Sequence, residues 1–133
     1  MNINQAARAA GLTSKTLRYY EDQGLVSFAR GANGYRVVSA EDQQRLAFIA
    51  HARALGFSIN ECRELLSLYG NPERSSADVK AVALRHLADI EHKLRSLEQM
   101  RDTIAGLVHA CAGDDRPDCP ILAGISDLED SKG

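Results

Sequence analysis

Apolar positions recur at helical spacing from the start of the chain. Ile3, Ala6, Ala7 and Ala10 share one face, and Gly11 stops the run. Thr13 or Ser14 is placed to cap a second short helix, which carries Leu17 and Tyr20 inward and ends near Gly24. Two short helices joined by a Gly-Leu-Thr turn have the pattern of a helix-turn-helix. The period then changes. Leu25–Phe28 and Tyr35–Val38 are β-prone runs on either side of Asn33-Gly34, which predicts a hairpin. A hairpin in this place is a wing.

Ser39-Ala-Glu-Asp42 and Ser58-Ile-Asn-Glu61 have the form of capping boxes, and each should open a helix. The first of these helices closes at Gly56. The second carries Ile59, Cys62, Leu65, Leu66 and Tyr69 and stops at Gly70-Asn71-Pro72, so the first domain is expected over residues 1–70. From Ser75 the chain has no Pro or Gly until Gly106. Ala83, Leu87, Ile90, Leu94, Leu97, Ile104 and Val108 follow one another at coiled-coil spacing, with Arg101 in the same seam. A helix over residues 75–110 would be about 50 Å long. Little else in the chain could cover its stripe, which predicts burial against a second copy. A Gly/Pro/Asp loop then separates Cys111 from Cys119, and Ile121–Ile125 is apolar enough for a short helical turn. Residues 111–126 thus form a loop and short helix, and residues 127–133 a polar, frayed tail.

Composition fits a folded chain: 133 residues, 44% hydrophobic and 26% charged. The small net charge of −2 hides an asymmetry. Residues 1–60 hold seven basic and four acidic side chains, and the rest hold nine and fourteen, a basic front end suited to a polyanion. No stretch reaches the roughly 18 apolar residues of a membrane span, and the start lacks the basic and apolar segments of a signal peptide. A cytoplasmic protein is expected, with no membrane partner. An odd number of cysteines points to metal or redox chemistry rather than a disulfide framework. Neither a phosphate loop, nor an apolar carboxylate pair, nor a Ser/His/Asp arrangement stands out, so the chain does not read as an enzyme.

Thr16-Leu17-Arg18-Tyr19-Tyr20-Glu21, then Gly24-Leu25, then Arg30…Asn33-Gly34-Tyr35-Arg36, followed by a second helix pair and a long helix, resemble the MerR family of metal- and drug-responsive transcriptional activators over nearly the whole chain. Cys111-x7-Cys119-Pro, with Gly113-Asp114-Asp115 inside, resembles the copper-efflux regulator branch, as does Ser75-Ser76-Ala-Asp78-Val79-Lys80. The resemblance implies a mainly α fold: a winged helix-turn-helix DNA-binding domain, a long antiparallel coiled-coil dimerisation helix and a C-terminal metal-binding loop. It implies a homodimer on a double-stranded dyad promoter, where metal binding closes the loop, shifts the long helices and distorts the DNA for RNA polymerase. Copper export or oxidation genes would be the targets.

Within that frame, Lys15, Thr16, Arg18 and Tyr19 on the second helix would meet DNA, with Arg18 the best base or phosphate contact. Arg30, Tyr35 and Arg36 on the wing would grip flanking phosphates, while Tyr20 and Phe28 belong to the core. Cys111 and Cys119 supply two soft thiolates, which favour Cu(I), and Ag(I) and Au(I) fit the same donors. The pair with its ion carries one negative charge, which Ser76 and Lys80 at the helix start of the partner subunit would stabilise. Divalent-metal sensors of the family tend to have a cysteine where this chain has Ser76. Cys62 reads as a small core residue, and His51, His86 and His92 as solvated; His109 reads as a spectator at a helix end in preference to a third ligand that would tilt selectivity towards Zn(II). Two other readings stay open: a sensor of Zn(II) or of thiol oxidation with the same architecture, and a copper-buffering protein whose basic half is incidental.

Overall fold

The structure, a computed structural model, describes residues 1–128. Its elements in chain order are α1 (Ile3–Ala10), α2 (Ser14–Asp22), β1 (Ala29–Arg30), β2 (Arg36–Val37), α3 (Ala40–Ala54), α4 (Ile59–Tyr69), α5 (Ser76–Ala110) and α6 (Pro120–Ser126). They form two compact units, Met1–His86 and the chain from Leu87 on. The fold is mainly α, with a single antiparallel hairpin among the described residues that pairs Ala29 with Val37 and Arg30 with Arg36.

Helix starts in the first unit are set by side-chain caps. Asn2 with Gln5, Ser39 with Asp42 and Ser58 with Glu61 form reciprocal capping boxes, and Thr13 Oγ1 accepts from the Thr16 N–H to open α2. Each cap satisfies donors that a helix start otherwise leaves unpaired. The core gathers Ala6 and Ala7 of α1, Leu17 and Tyr20 of α2, Leu46 and Ile49 of α3 and Leu66 of α4. Leu17, Leu46 and Ile49 are fully buried, and each contributes about 1.5–3 kcal/mol relative to exposure.

Three expectations change here, and one pairing is added. Leu25–Phe28 is no strand; Leu25, Val26 and Phe28 are buried in the core, and the hairpin starts only at Ala29. The Val38 N–H donates to the Met1 carbonyl and Asn2 bridges to Val37, so the chain start lies alongside β2. The domain boundary expected at residue 70 marks the end of α4, but the packed unit continues to His86 through the first three turns of α5. His86, expected to be solvated, is only 6% exposed, whereas His51 and His92 are exposed.

In the second unit α5 runs on to Ala110, a loop follows, and α6 returns against α5. A Cβ at Gly124 would overlap the methyl groups of Leu107, so the small residue sets how closely α6 approaches. Leu87, Leu94, Leu97, Ile104 and Val108 stay largely exposed along α5. Asp127 caps α6, and the Leu128 N–H donates to the Ile125 carbonyl. The frayed tail expected over residues 127–133 otherwise lies outside the described residues. Among the described residues, no helix is long and apolar enough to cross a membrane.

Candidate nucleic-acid interface and thiol loop

The buried face of α2, held by Leu17 and Tyr20, dictates that its other face carries Lys15, Arg18 and Tyr19 outward. Tyr19 is half exposed, its ring 6.1 Å from that of Tyr20. Thr16 is placed differently: its hydroxyl shares a 2.9 Å hydrogen bond with Thr13 Oγ1 at the helix start. At the wing, Gly34 takes a φ of +81°, the Gly31 N–H donates to the Tyr35 carbonyl, and Asn33 Oδ1 accepts from the Tyr35 N–H. The turn leaves Tyr35 73% exposed at its tip.

Arg18, Arg30, Tyr35 and Arg36 come together around one cleft of about 320 Å³ between helix and wing, together with Asn2, Asn4 and Asn33. Three basic groups beside an exposed aromatic ring suit a phosphate backbone entering from solvent. Lys15 and Tyr19 lie on the same helix outside that lining. The two wing arginines differ. Arg30 reaches the Gly34 carbonyl across its own turn at 3.4 Å, while Arg36 donates Nε–H to Glu21 Oε1 and is only 24% exposed. Burial pushes the Glu21 carboxyl up, but the Arg36 and Phe28 N–H donors and the charges of Arg36 and Arg30 outweigh it, and its pKa lies below the ordinary value. Part of the role expected of Arg36 on DNA is therefore spent inside the protein. Sequence reasoning passed over Asn2 and Asn4. Asn2 opens α1, and Asn4 Oδ1 accepts from Ser14 Oγ, so both read from sequence as ordinary polar helix positions.

Cys111 and Cys119 stand at the two ends of the loop that joins α5 to α6. The Cys111 N–H donates to the Val108 carbonyl in the last turn of α5. Cys119 is the N-cap of α6, its Sγ 3.4 Å from the Leu122 nitrogen, with Pro120 at the first helical position. Both thiols are free and partly exposed. Between them Gly113 takes a φ of +67°, and Asp114 pairs with Arg116 at 2.7 Å, which holds the Asp114 carboxyl below its ordinary pKa. Cys62 is fully buried in α4, and burial pushes its thiol up. His109 is exposed in the last turn of α5. Among the described residues, no three His, Cys, Asp or Glu side chains cluster around a common point. In the first unit, Ser76 and Lys80 are exposed and line a groove with Pro72, Arg74 and Val79.

Residues 1–68 match the MerR HTH family regulatory protein family, and residues 43–107 match the family described as MerR, DNA binding. The chain is 53% identical to the HTH-type transcriptional regulator HmrR of Rhizobium leguminosarum bv. viciae over 127 residues, 96% of this chain and 98% of that protein. It is 43% identical to the HTH-type transcriptional regulator CueR of Salmonella typhimurium, over 95% of this chain and 92% of that protein. The crystal structure of PbrR691 from Ralstonia metallidurans CH34 in complex with lead(II) superposes with a TM-score of 0.82 at 29% identity, covering 94% of this chain and 98% of that one. The chain belongs to the MerR family, whose members are DNA-binding transcription regulators and not enzymes.

Proposed function

We propose that the chain is a Cu(I)-responsive activator that binds a dyad promoter as a homodimer and distorts the DNA to induce copper-efflux or detoxification genes. The coarser part of this reading, a metal-responsive regulator, is supported by the heavy-metal regulators among its relatives. The finer part rests on one observation: two free, partly exposed thiols at the ends of a short loop, with no third ligand beside them among the described residues. Cys111 and Cys119 would hold the ion, and two soft thiolates satisfy a monovalent soft metal where Zn(II) asks for four ligands. CueR of Salmonella typhimurium, similar over nearly the whole chain, supports the same choice.

Arg18, Arg30, Tyr35 and Lys15 would take up phosphates and base edges, and Tyr19 would pack on the backbone. The exposed apolar residues of α5 would be covered by a second copy. In that dimer Ser76 and Lys80 of one copy would face the thiol loop of the other, offering a helix start and an ammonium charge to a singly negative centre. A loop that holds its ion better in the DNA-distorting arrangement shifts the dimer toward it. The winged bodies then pay for the deformation of the DNA through better contacts, and RNA polymerase reads the realigned promoter.

The lead(II) complex of PbrR691 favours one competing reading, a divalent ion in the same loop. Titration of reduced protein with Cu(I), Zn(II) and Pb(II) against chelating competitors, read beside transcription from a dyad promoter, separates the two. Activation by Cu(I) alone supports the proposal, and activation by Zn(II) or Pb(II) where Cu(I) fails overturns it.

A further inference from the structure

His86 is a buried side chain of α5 that neither the DNA cleft nor the thiol loop employs. Its ring stacks on Phe57, centroids 4.1 Å apart and planes 28° from parallel. Nε2 lies 2.8 Å from the Leu55 carbonyl; a carbonyl only accepts, so Nε2 carries the proton. Leu55 is the C-cap of α3, whose carbonyl is among those a helix end leaves without a partner. Gly56, at a φ of +87°, brings the corner up to the ring, and a Cβ there would lie 3.5 Å from it. On the other side Nδ1 faces Glu61 Oε2 at 3.7 Å, and that carboxylate is fixed by accepting the Ser58 N–H in the α4 capping box. The whole corner between α3 and α4, residues 55–61, is thus organised around one imidazole.

Two further residues of α5 complete the attachment. Val82, one turn earlier, is buried, and Arg85 pairs with Glu64 at 2.6 Å, although both members of that pair are exposed and it contributes little. An aliphatic side chain at position 86 would fill the space without setting a register. An imidazole there has a desolvation cost that only a partnered geometry offsets, and the hydrogen bond to Leu55 is directional. Apolar contact tolerates sliding; this bond does not.

We propose that His86 is a positioning residue that locks α5 to the corner between α3 and α4, so that a displacement of α5 reaches the winged body without slip. The inference rests on the reading above that metal occupancy acts through α5. Loss of the lock then uncouples two binding events that each remain intact.

The test uses the full-length dimer on a dyad promoter fragment, comparing wild type, His86→Leu and His86→Gln. The Gln amide keeps an N–H within reach of the Leu55 carbonyl. For His86→Leu, operator affinity and Cu(I) affinity should stay within about threefold of wild type while Cu(I)-dependent activation falls about tenfold or more. His86→Gln should recover about half of the activation or more. Wild-type activation by His86→Leu, equal impairment of both variants, or loss of operator binding in step with activation would each overturn the lock. Should His86→Leu fail to fold by circular dichroism, His86→Asn, whose shorter amide does not reach Leu55, is judged by the same criteria. If wild type itself responds to Zn(II) or Pb(II) and not to Cu(I), the copper reading fails, and the coupling is measured with the metal that does activate.

Discussion

Arg36 donates its Nε–H to Glu21 Oε1 over 2.8 Å, and so fastens the second strand of the wing to the last turn of α2. The two elements proposed to meet DNA are thereby tied to each other within the protein itself. Glu21 also accepts from the Phe28 N–H at 3.4 Å, which holds the entry to the hairpin. One carboxylate thus organises both ends of the segment from α2 to β2.

Glu21→Gln should cost about 1–2 kcal/mol of stability at neutral pH, the scale of a hydrogen bond between charged partners. The pH dependence has a definite sign. The folded carboxyl titrates below its ordinary value of 4.5, so its stabilisation is complete above that value and is lost as pH falls through the folded pKa. Denaturant midpoints of wild type and Glu21→Gln should converge below about pH 4.5. A gap that stays constant down to pH 3 would show that the ion pair is not its source.

Arg18 lines the cleft and, among the described residues, has no ion-pair partner of the kind that Arg36 has. Arg18→Ala should therefore weaken operator binding by about 1–3 kcal/mol and leave the dimer and its thermal stability unchanged. Arg36→Ala should do both kinds of damage, lowering stability as well as operator affinity. Operator titrations beside thermal melts separate the two arginines; equal affinity losses with equal stability losses would refute the distinction.

What the sequence made legible was local. The capping boxes at Ser39 and Ser58, the Asn-Gly turn and the ends of α5 each depend on residues a few positions apart, and all are found where the pattern places them. Leu25–Phe28 misled because β-branched and aromatic residues signal a half-buried surface and not strand pairing itself. The pairing of Asn2 with Val37 and the burial of His86 against Leu55 join residues more than 30 positions apart, and no periodicity within one helix announces them. The same holds for the cleft. Its arginines were legible one by one from their places on helix and wing, but their convergence depends on the Arg36–Glu21 tie. For Cys111 and Cys119 the spacing was visible, whereas the cap that Cys119 gives to α6 was not.

That cap allows the structural role of Cys119 to be separated from its proposed ligating role. Cys119→Ser keeps an N-cap oxygen and removes the soft donor, so metal response should vanish while α6 remains formed. Cys119→Ala should lose the response and also loosen α6 by about 1 kcal/mol. Amide exchange at Leu122 and Ala123 reads the second effect independently of metal. Cys111→Ser should abolish the response with no change in those amides. In all three variants operator affinity should persist. Cys62, buried and held as a neutral thiol, should alkylate far more slowly than the other two thiols in the native protein. Cys62→Ser should respond normally to copper, and silencing by that change in a folded protein would overturn the site assignment.

On the proposed reading, selectivity turns on Ser76. The residue begins α5, is exposed, and shares a groove with Lys80 and Arg74, a positively charged setting at a helix start. In the proposed dimer, a neutral hydroxyl there would add neither charge nor a soft ligand to the thiol loop of the second copy. Two thiolates with a divalent ion make a neutral centre, which for Zn(II) also leaves coordination unfilled, whereas with Cu(I) they make a singly negative one that a helix start and an ammonium group stabilise. Wild type should accordingly respond to Cu(I) and Ag(I) and not to Zn(II) or Hg(II). Ser76→Cys adds a third thiolate and should gain measurable Zn(II) or Hg(II) binding in proportion to one site per loop. If position 76 serves only the start of α5, where Ser75 Oγ already accepts from the Ala77 N–H, the substitution changes helix stability and nothing else. Metal titrations of wild type and Ser76→Cys, with melts run in parallel, decide between the two. A wild-type protein induced by Zn(II) at concentrations where Cu(I) fails would sink the monovalent assignment and move His109, exposed in the last turn of α5, into the ligand set.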